Sequence, residues 1–234
     1  MRDQYAGDIS DYLKFAFINA MLPAASTLGV AWYYLPGHDG RADGRHDEYL
    51  SDPNWRLLSP GVFDRLAQRS ERAVSELEAL GVLPSSTRFF RDPVAGKVGR
   101  DAWARRMEAE LAECSAVFAD PDNGVSRPGV VSRKSATVQE ISSLCGADRL
   151  VLLIRFPHRL SSHADQLSSY HDAFAEFLPI TVRTCVRVPN ANGTTSPRIR
   201  WFTALNGGPD ARSSMESFAQ RLAALPGASA TVEG

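Results

Sequence analysis

The chain has 234 residues, of which 44% are hydrophobic and 23% charged. These proportions are those of a globular domain and exclude wholesale disorder. Lys and Arg number 26 against 27 Asp and Glu, a net charge of −1, which excludes a chain-wide polycation coating nucleic acid but leaves room for a local basic face. Cys114, Cys145 and Cys185 are far apart and form no CxxC pair, so neither a cysteine zinc site nor a disulfide framework is expected. Acids within the first dozen residues speak against a secretory signal. No apolar run approaches the roughly 20 residues that a bilayer span needs. The expectation is a soluble, cytoplasmic protein with no membrane partner.

The first predicted element is a helix in DISDYLKFAFINAML, with Asp8 or Ser10 as its cap. Leu13 and Phe17 recur at helical spacing, and Pro23 stops it. GVAWYYL, residues 29–35, reads as a buried strand that ends at the Pro36-Gly37 turn. Residues 36–56 are polar and suggest no regular element. A helix is predicted over about 60–80, with Phe63, Leu66, Val74, Leu77 and Leu80 as its apolar stripe and Gly81 at its end. Residues 87–91 read as a short strand, and GRDAWARRMEAELAECS as a helix.

SAVFAD, residues 115–120, is a buried strand running into the turn-rich PDNGVSRPG. TVQEISSL reads as a brief helix. DRLVLLIRF, residues 148–156, has five consecutive aliphatics, the pattern of a central parallel strand. A helix over 162–178 follows. ITVRTCVRV and RIRWFTAL alternate and flank ANGTTSP, as an antiparallel pair would. A last helix covers about 212–224. The order predicts an α/β fold: a Rossmann-like, mainly parallel sheet with helices on both faces and an antiparallel C-terminal strand pair. One domain is expected over 1–225, with a flexible tail over 226–234.

Ligands of open parallel sheets bind beyond the carboxyl ends of the strands. Two segments there carry chemistry. In VFADPDNG, Asp120, Pro121, Asp122 and Asn123 crowd a strand exit. They can form a plain turn, bind a hard cation through two carboxylates, or accept hydrogen bonds from an exocyclic amine. In LPGHDGRADGRHDEYL, the charged residues His38, Asp39, Arg41, Asp43, Arg45, His46 and Asp47 follow the first strand. They read either as a solvated loop or as ligand contacts. No GxGxxG or GxxxxGK[ST] occurs, so dinucleotide and P-loop readings lack support. Lys134 and Glu140, with Asp120 and Asp122, are the set a metal-dependent nuclease would use with Mg²⁺ or Mn²⁺. His158 and Arg159 follow the central strand toward the same edge.

YAGDISDYLKF, residues 5–15, resembles the N-terminal motif of the class I adenine-N6 methyltransferases that modify large-subunit ribosomal RNA. Gly7, Asp8, Asp11 and Lys14 match it, and Asp120-Pro121 match the start of that family's Asp/Asn-Pro-Pro-aromatic catalytic motif. Asp122-Asn123 stand where Pro-aromatic belongs. The resemblance implies a methyltransferase-like fold using S-adenosylmethionine on a nucleic acid base. It implies catalysis at Asp120, with Tyr5, Gly7, Asp8, Asp11 and Lys14 over the adenosine end of the cofactor, and Gly37, Asp39 and Gly40 near it. The alternatives are the metal-dependent nuclease or phosphoesterase, with Asp120 and Asp122 as metal ligands, and a binding module on the same scaffold.

Overall fold

Helix α1 (Ile9–Met21) begins where Asp8 accepts hydrogen bonds from the amides of Ser10 and Asp11, which settles the cap in favour of Asp8. The structure, a computed structural model, describes residues 1–23, 26–40, 46–126, 129–146, 149–157, 161–175, 180–188 and 198–233. After α1 come β1 (Leu28–Ala31), α2 (Pro60–Ala67), α3 (Val74–Ala79), β2 (Arg88–Phe90), α4 (Arg100–Glu110) and β3 (Ala116–Ala119). The rest are α5 (Val138–Cys145), β4 (Leu150–Arg155), α6 (His163–Ala175), β5 (Ile180–Val188), β6 (Arg198–Leu205), α7 (Pro209–Ala223) and β7 (Ser229–Glu233).

The strands form one sheet in the order β2-β1-β3-β4-β6-β5-β7. The first four are mutually parallel. β6 then enters antiparallel to β4 and to β5. This is the Rossmann-like α/β fold expected from the element order, with its antiparallel pair in place. The tail differs from expectation: Ser229–Glu233 pairs antiparallel with β5 and is not a free end. Its alternating SATVE pattern suits such an edge strand.

Side-chain alternation splits the core between the two faces of the sheet. Val30, Phe118, Leu152, Ile154 and Phe202 pack against α1, α2 and α7. Ala31, Val117, Ala119, Val151 and Leu153 pack against α4, α5 and α6. Coverage on both faces explains the unbroken aliphatic run of β4, whose Val151, Leu152, Leu153 and Ile154 are all buried. The parity also decides where chemistry falls: Asp120, one residue past Ala119, belongs to the α1 face.

Three segments differ from expectation. The helix over 60–80 breaks into α2 and α3, because Arg69 and Arg72 in the intervening segment both turn onto Asp47. A tertiary ion-pair cluster overrides local helix preference there. The strand over 29–35 leaves regular pairing after Ala31. Leu35 then donates to the carbonyl of Met1, and Val94 to that of Tyr34. In the loop predicted to lack regular elements, Glu48–Ser51 and Pro53–Leu57 form 3₁₀ turns.

Burial of β4 at the centre of the sheet sets an expected outcome. Leu153→Ala should lower the unfolding free energy by about 2–5 kcal/mol through lost transfer energy and a residual cavity. Denaturant titration measures this, and a loss below about 1 kcal/mol would be that of a surface site.

Candidate functional site

The site grows from the first turn of α1 and the exit of β3. Asp11 and Lys14, three residues apart, share one helix face. Lys14 donates to Asp11 Oδ1 at 2.9 Å and to Asp120 at 2.9 Å. Asp11 also accepts the Gly7 amide through Oδ2 at 2.8 Å. A chain of charge thus runs from Gly7 through Asp11 and Lys14 to Asp120. Lys14 is 5% exposed, Asp11 1% and Asp120 2%.

Burial alone would push the Lys14 ammonium toward neutrality. The charges of Asp11, Asp120 and Asp8 outweigh it and hold the pKa above the ordinary lysine range. Burial pushes the Asp11 carboxyl up to about 6, with the neighbouring Asp8 and Asp120 charges adding to the rise and Lys14 opposing it. Burial also raises the pKa of Asp8, against the opposing pull of Arg200 and Lys14.

Arg200 of β6 enters this cluster unannounced by any motif. Its guanidinium lies on the α1 face and donates to Ser10 Oγ at 2.8 and 3.2 Å. One signal could have found it: Arg200 shares parity with the core residues Phe202 and Ala204, so it must point inward.

The N-terminal segment lies across the exits of β1 and β3. Gln4 and Asp39 bond reciprocally, Gln4 Nε2 to Asp39 Oδ1 at 2.7 Å and the Asp39 amide to Gln4 Oε1 at 2.8 Å. Tyr5 Oη donates to Asp39 Oδ2 at 2.8 Å. The Met1 amine lies 2.6 Å from Asp122 and donates to the carbonyl of Tyr33 at 2.9 Å. Gly7 has φ +82°, a left-handed conformation that calls for glycine, and a Cβ there would stand 2.6 Å from the Arg69 side chain. Gly37 and Gly40 also have positive φ, but with nothing within 4 Å of a Cβ position.

The structure therefore joins Gly7, Asp8, Asp11, Lys14 and Asp120 in one cluster, and Tyr5 and Asp39 in an adjoining one. Pro121 is buried beside Asp120, while Asn123 is exposed and donates its amide to the carbonyl of Lys134 at 2.7 Å. Asp120 and Asp122 face different cations, Lys14 and the Met1 amine. Glu140, read as a member of a metal set, is taken by Arg100 Nε and Nη2 at 2.6 and 2.8 Å. It also closes a capping box with Thr137. No group of three or more His, Cys, Asp or Glu suited to a metal occurs among the described residues. His38 donates nothing to the cluster; its Nδ1 accepts the Gly40 amide at 3.0 Å. Arg41, Asp43, Arg45, His158 and Arg159 lie outside the described residues.

The fold and this edge define a Rossmann-like α/β protein with a charged cluster at the carboxyl ends of its parallel strands. A DUF519-family protein from Legionella pneumophila superposes on it with a TM-score of 0.51 over 98% of both chains, at 13% identity. A likeness at that identity concerns the fold. An S-adenosylmethionine-dependent methyltransferase from Agrobacterium tumefaciens aligns over 84% of this chain and 61% of its own, with a TM-score of 0.39 and 11% identity. No family model matches the sequence, and no curated protein does. No helix among the described residues is long and apolar enough to cross a membrane.

The buried Asp11 carboxyl gives a pH signature. Its native pKa of about 6 exceeds the ordinary value of 3.8, so the native state binds this proton more tightly than the unfolded chain. The contribution of this group to stability is therefore present below pH 3.8 and lost as pH rises through about 6. Carboxyl ¹³C NMR should show one aspartate titrating near 6 that disappears in Asp11→Asn. An Asp11 resonance titrating at or below 3.8 would contradict the burial described.

Proposed function

We propose that the chain is an S-adenosylmethionine-dependent methyltransferase acting on a nucleic acid base, with Asp120 as the catalytic acceptor. The observation that carries this reading is the buried Asp11–Lys14–Asp120 chain. It links the two segments, 106 residues apart, on which the sequence resemblance rests. Nothing in their separate patterns requires them to meet.

The residues fit the cofactor in two respects. Gly37 and Gly40 offer backbone with open space on the side where a Cβ would stand, so a ligand can approach closely. The surrounding carboxylates of Asp8, Asp11, Asp39 and Asp122 suit a ligand bearing sulfonium and ammonium charges. When bound, S-adenosylmethionine supplies an electrophilic methyl group. Asp39, positioned by Gln4 and Tyr5, would face its polar end. Tyr5, Gly7, Asp8, Asp11 and Lys14 would line the adenosine side.

Asp120 would accept a hydrogen bond from the exocyclic amine and aim its lone pair at the methyl group. Lys14 holds that carboxylate in place. A carboxylate retains acceptor capacity beside one ammonium, since it has about four lone-pair sites. Asp120 is 2% exposed, so the reading requires the 1–7 segment to shift when substrate enters. Pro121 stiffens the turn that carries Asp120, and Asn123 stands at its exposed side.

Asp120→Asn separates binding from transfer. The variant should keep the calorimetric heat of S-adenosylmethionine binding and slow methyl transfer by roughly 10²-fold, the scale of one positioned proton acceptor. A wild type that gives no heat with S-adenosylmethionine would overturn the reading, as would an Asp120→Asn variant with undiminished transfer.

A further inference from the structure

Two loops beside the site are stapled together by one buried guanidinium. Arg100, 3% exposed at the start of α4, pairs with Glu140 and donates to three carbonyls. These are Ala95 at 3.4 Å, Ser132 at 3.2 Å and Ser135 at 2.8 Å. Its charge also lies over the rings of Trp103, at 4.8 Å, and Tyr33, at 5.5 Å. The loops following β2 and β3 are thereby fixed to each other, and Gly96 comes within 3.5 Å of the Arg133 guanidinium, measured from its Cβ position. The second loop is closed at its base, where Val125 bridges Ala136 and Ser126 Oγ donates to the carbonyl of Val130 at 2.6 Å. Lys134 accepts the Asn123 amide through its own carbonyl, so the loop is continuous with the turn that carries Asp120.

The outer surface of this unit is cationic. Lys97 and Arg133 are exposed and Lys134 is half-buried, and none of the three has a carboxylate partner among the described residues. Asp101, exposed in the first turn of α4, is the acid on its flank. Three valines stand among the cations, Val98 at 95% exposure, Val130 at 52% and Val131 at 39%. In a chain of net charge −1, an unpaired basic surface on a rigid support is a local departure. Its complement is a polyanion whose sugar and base faces can cover short apolar side chains.

We infer that the stapled loops 95–99 and 129–135 form the docking platform for the phosphodiester backbone of a single-stranded nucleic acid, with Lys97, Arg133 and Lys134 contacting phosphates. This rests on the reading that the substrate is a nucleic acid base. The platform contacts backbone and carries no sequence information itself; it holds the strand in register with the Asp120 turn, to which Lys134 is tied.

The test is fluorescence anisotropy with a labelled mixed-sequence oligoribonucleotide and its DNA counterpart, over a series of salt concentrations. The proteins are the wild type and a Lys97→Ala/Arg133→Ala/Lys134→Ala variant. Loss of three phosphate contacts should weaken binding at least tenfold at low salt and reduce the slope of log K against log salt by about 2. The melting temperature and S-adenosylmethionine heat of the variant should match the wild type. Equal affinity and slope in the two proteins would overturn the platform, and so would a wild type that binds neither oligonucleotide. The two readings fail separately. A wild type without cofactor heat but with the slope difference sinks the catalytic reading and keeps the platform, whereas cofactor heat and transfer without a slope difference sink the platform alone.

Discussion

The arrangement at the strand exits depends on one buried ammonium. Lys14 is held away from water between Asp11 and Asp120, and a charge so placed is tolerated only while its partners stay within hydrogen-bonding range. That requirement fixes the rotation of α1 about its axis and its height over β3. Asp8 and Asp11 gain a second advantage from their position, since the first turn of a helix carries the positive end of its dipole. The helix start thus becomes the place where three carboxylates can gather around one cation, and Arg200 supplies a second positive charge from β6, two strands from β3 in the sheet.

A second buried pair, Arg100–Glu140, lies on the opposite face, among the side chains packed with α4 and α5. The two pairs divide the work. Lys14 faces the acid at the end of β3 and sets its direction. Arg100 touches no residue of the Asp11–Lys14–Asp120 chain; most of its donors go to backbone carbonyls, which is how a guanidinium with five N–H groups orders irregular chain. Loops following parallel strands have no ladder of their own to satisfy their polar groups. Here that function falls to one side chain, and the result is a shaped edge in place of a mobile one.

Much of the fold was legible in the sequence because it follows from periodicity. The aliphatic run of Val151 to Ile154 indicated a central strand, and the alternation of residues 198–205 a strand of an antiparallel pair, and both reflect patterns that the sequence must encode locally. The misjudged places have a common cause. The break between α2 and α3 arises from Arg69 and Arg72 reaching Asp47, and the pairing of Ser229–Glu233 from an open edge on β5. Both are tertiary events with no local signature. Within the site, the Asp-Pro turn and the first turn of α1 could be nominated separately, but the bond between them could not. Glu140 illustrates the reverse error: a carboxylate near a candidate metal set in sequence proved to be the partner of an arginine 40 residues earlier.

The DPDNG segment shows why a turn and a reactive group need not be rival readings of one motif. Gly124 makes the turn. Its φ is +70°, and a Cβ would stand 2.9 Å from Arg155 Cβ and 3.3 Å from Arg155 Cα on β4, so the chain can close against that strand only without a side chain. The Gly124 amide returns to the carbonyl of Pro121 at 3.1 Å, and the Asn123 amide to Lys134. Asp120 takes no part in this closure through its carboxylate, which instead points back under the sheet edge to Lys14. A residue serving only to form the turn would direct its carboxylate to a nearby backbone amide, as Asp52 does to Asn54. The motif is therefore divided within itself: its last two residues build the turn, and its first is turned away from it, toward the charge that the helix brings.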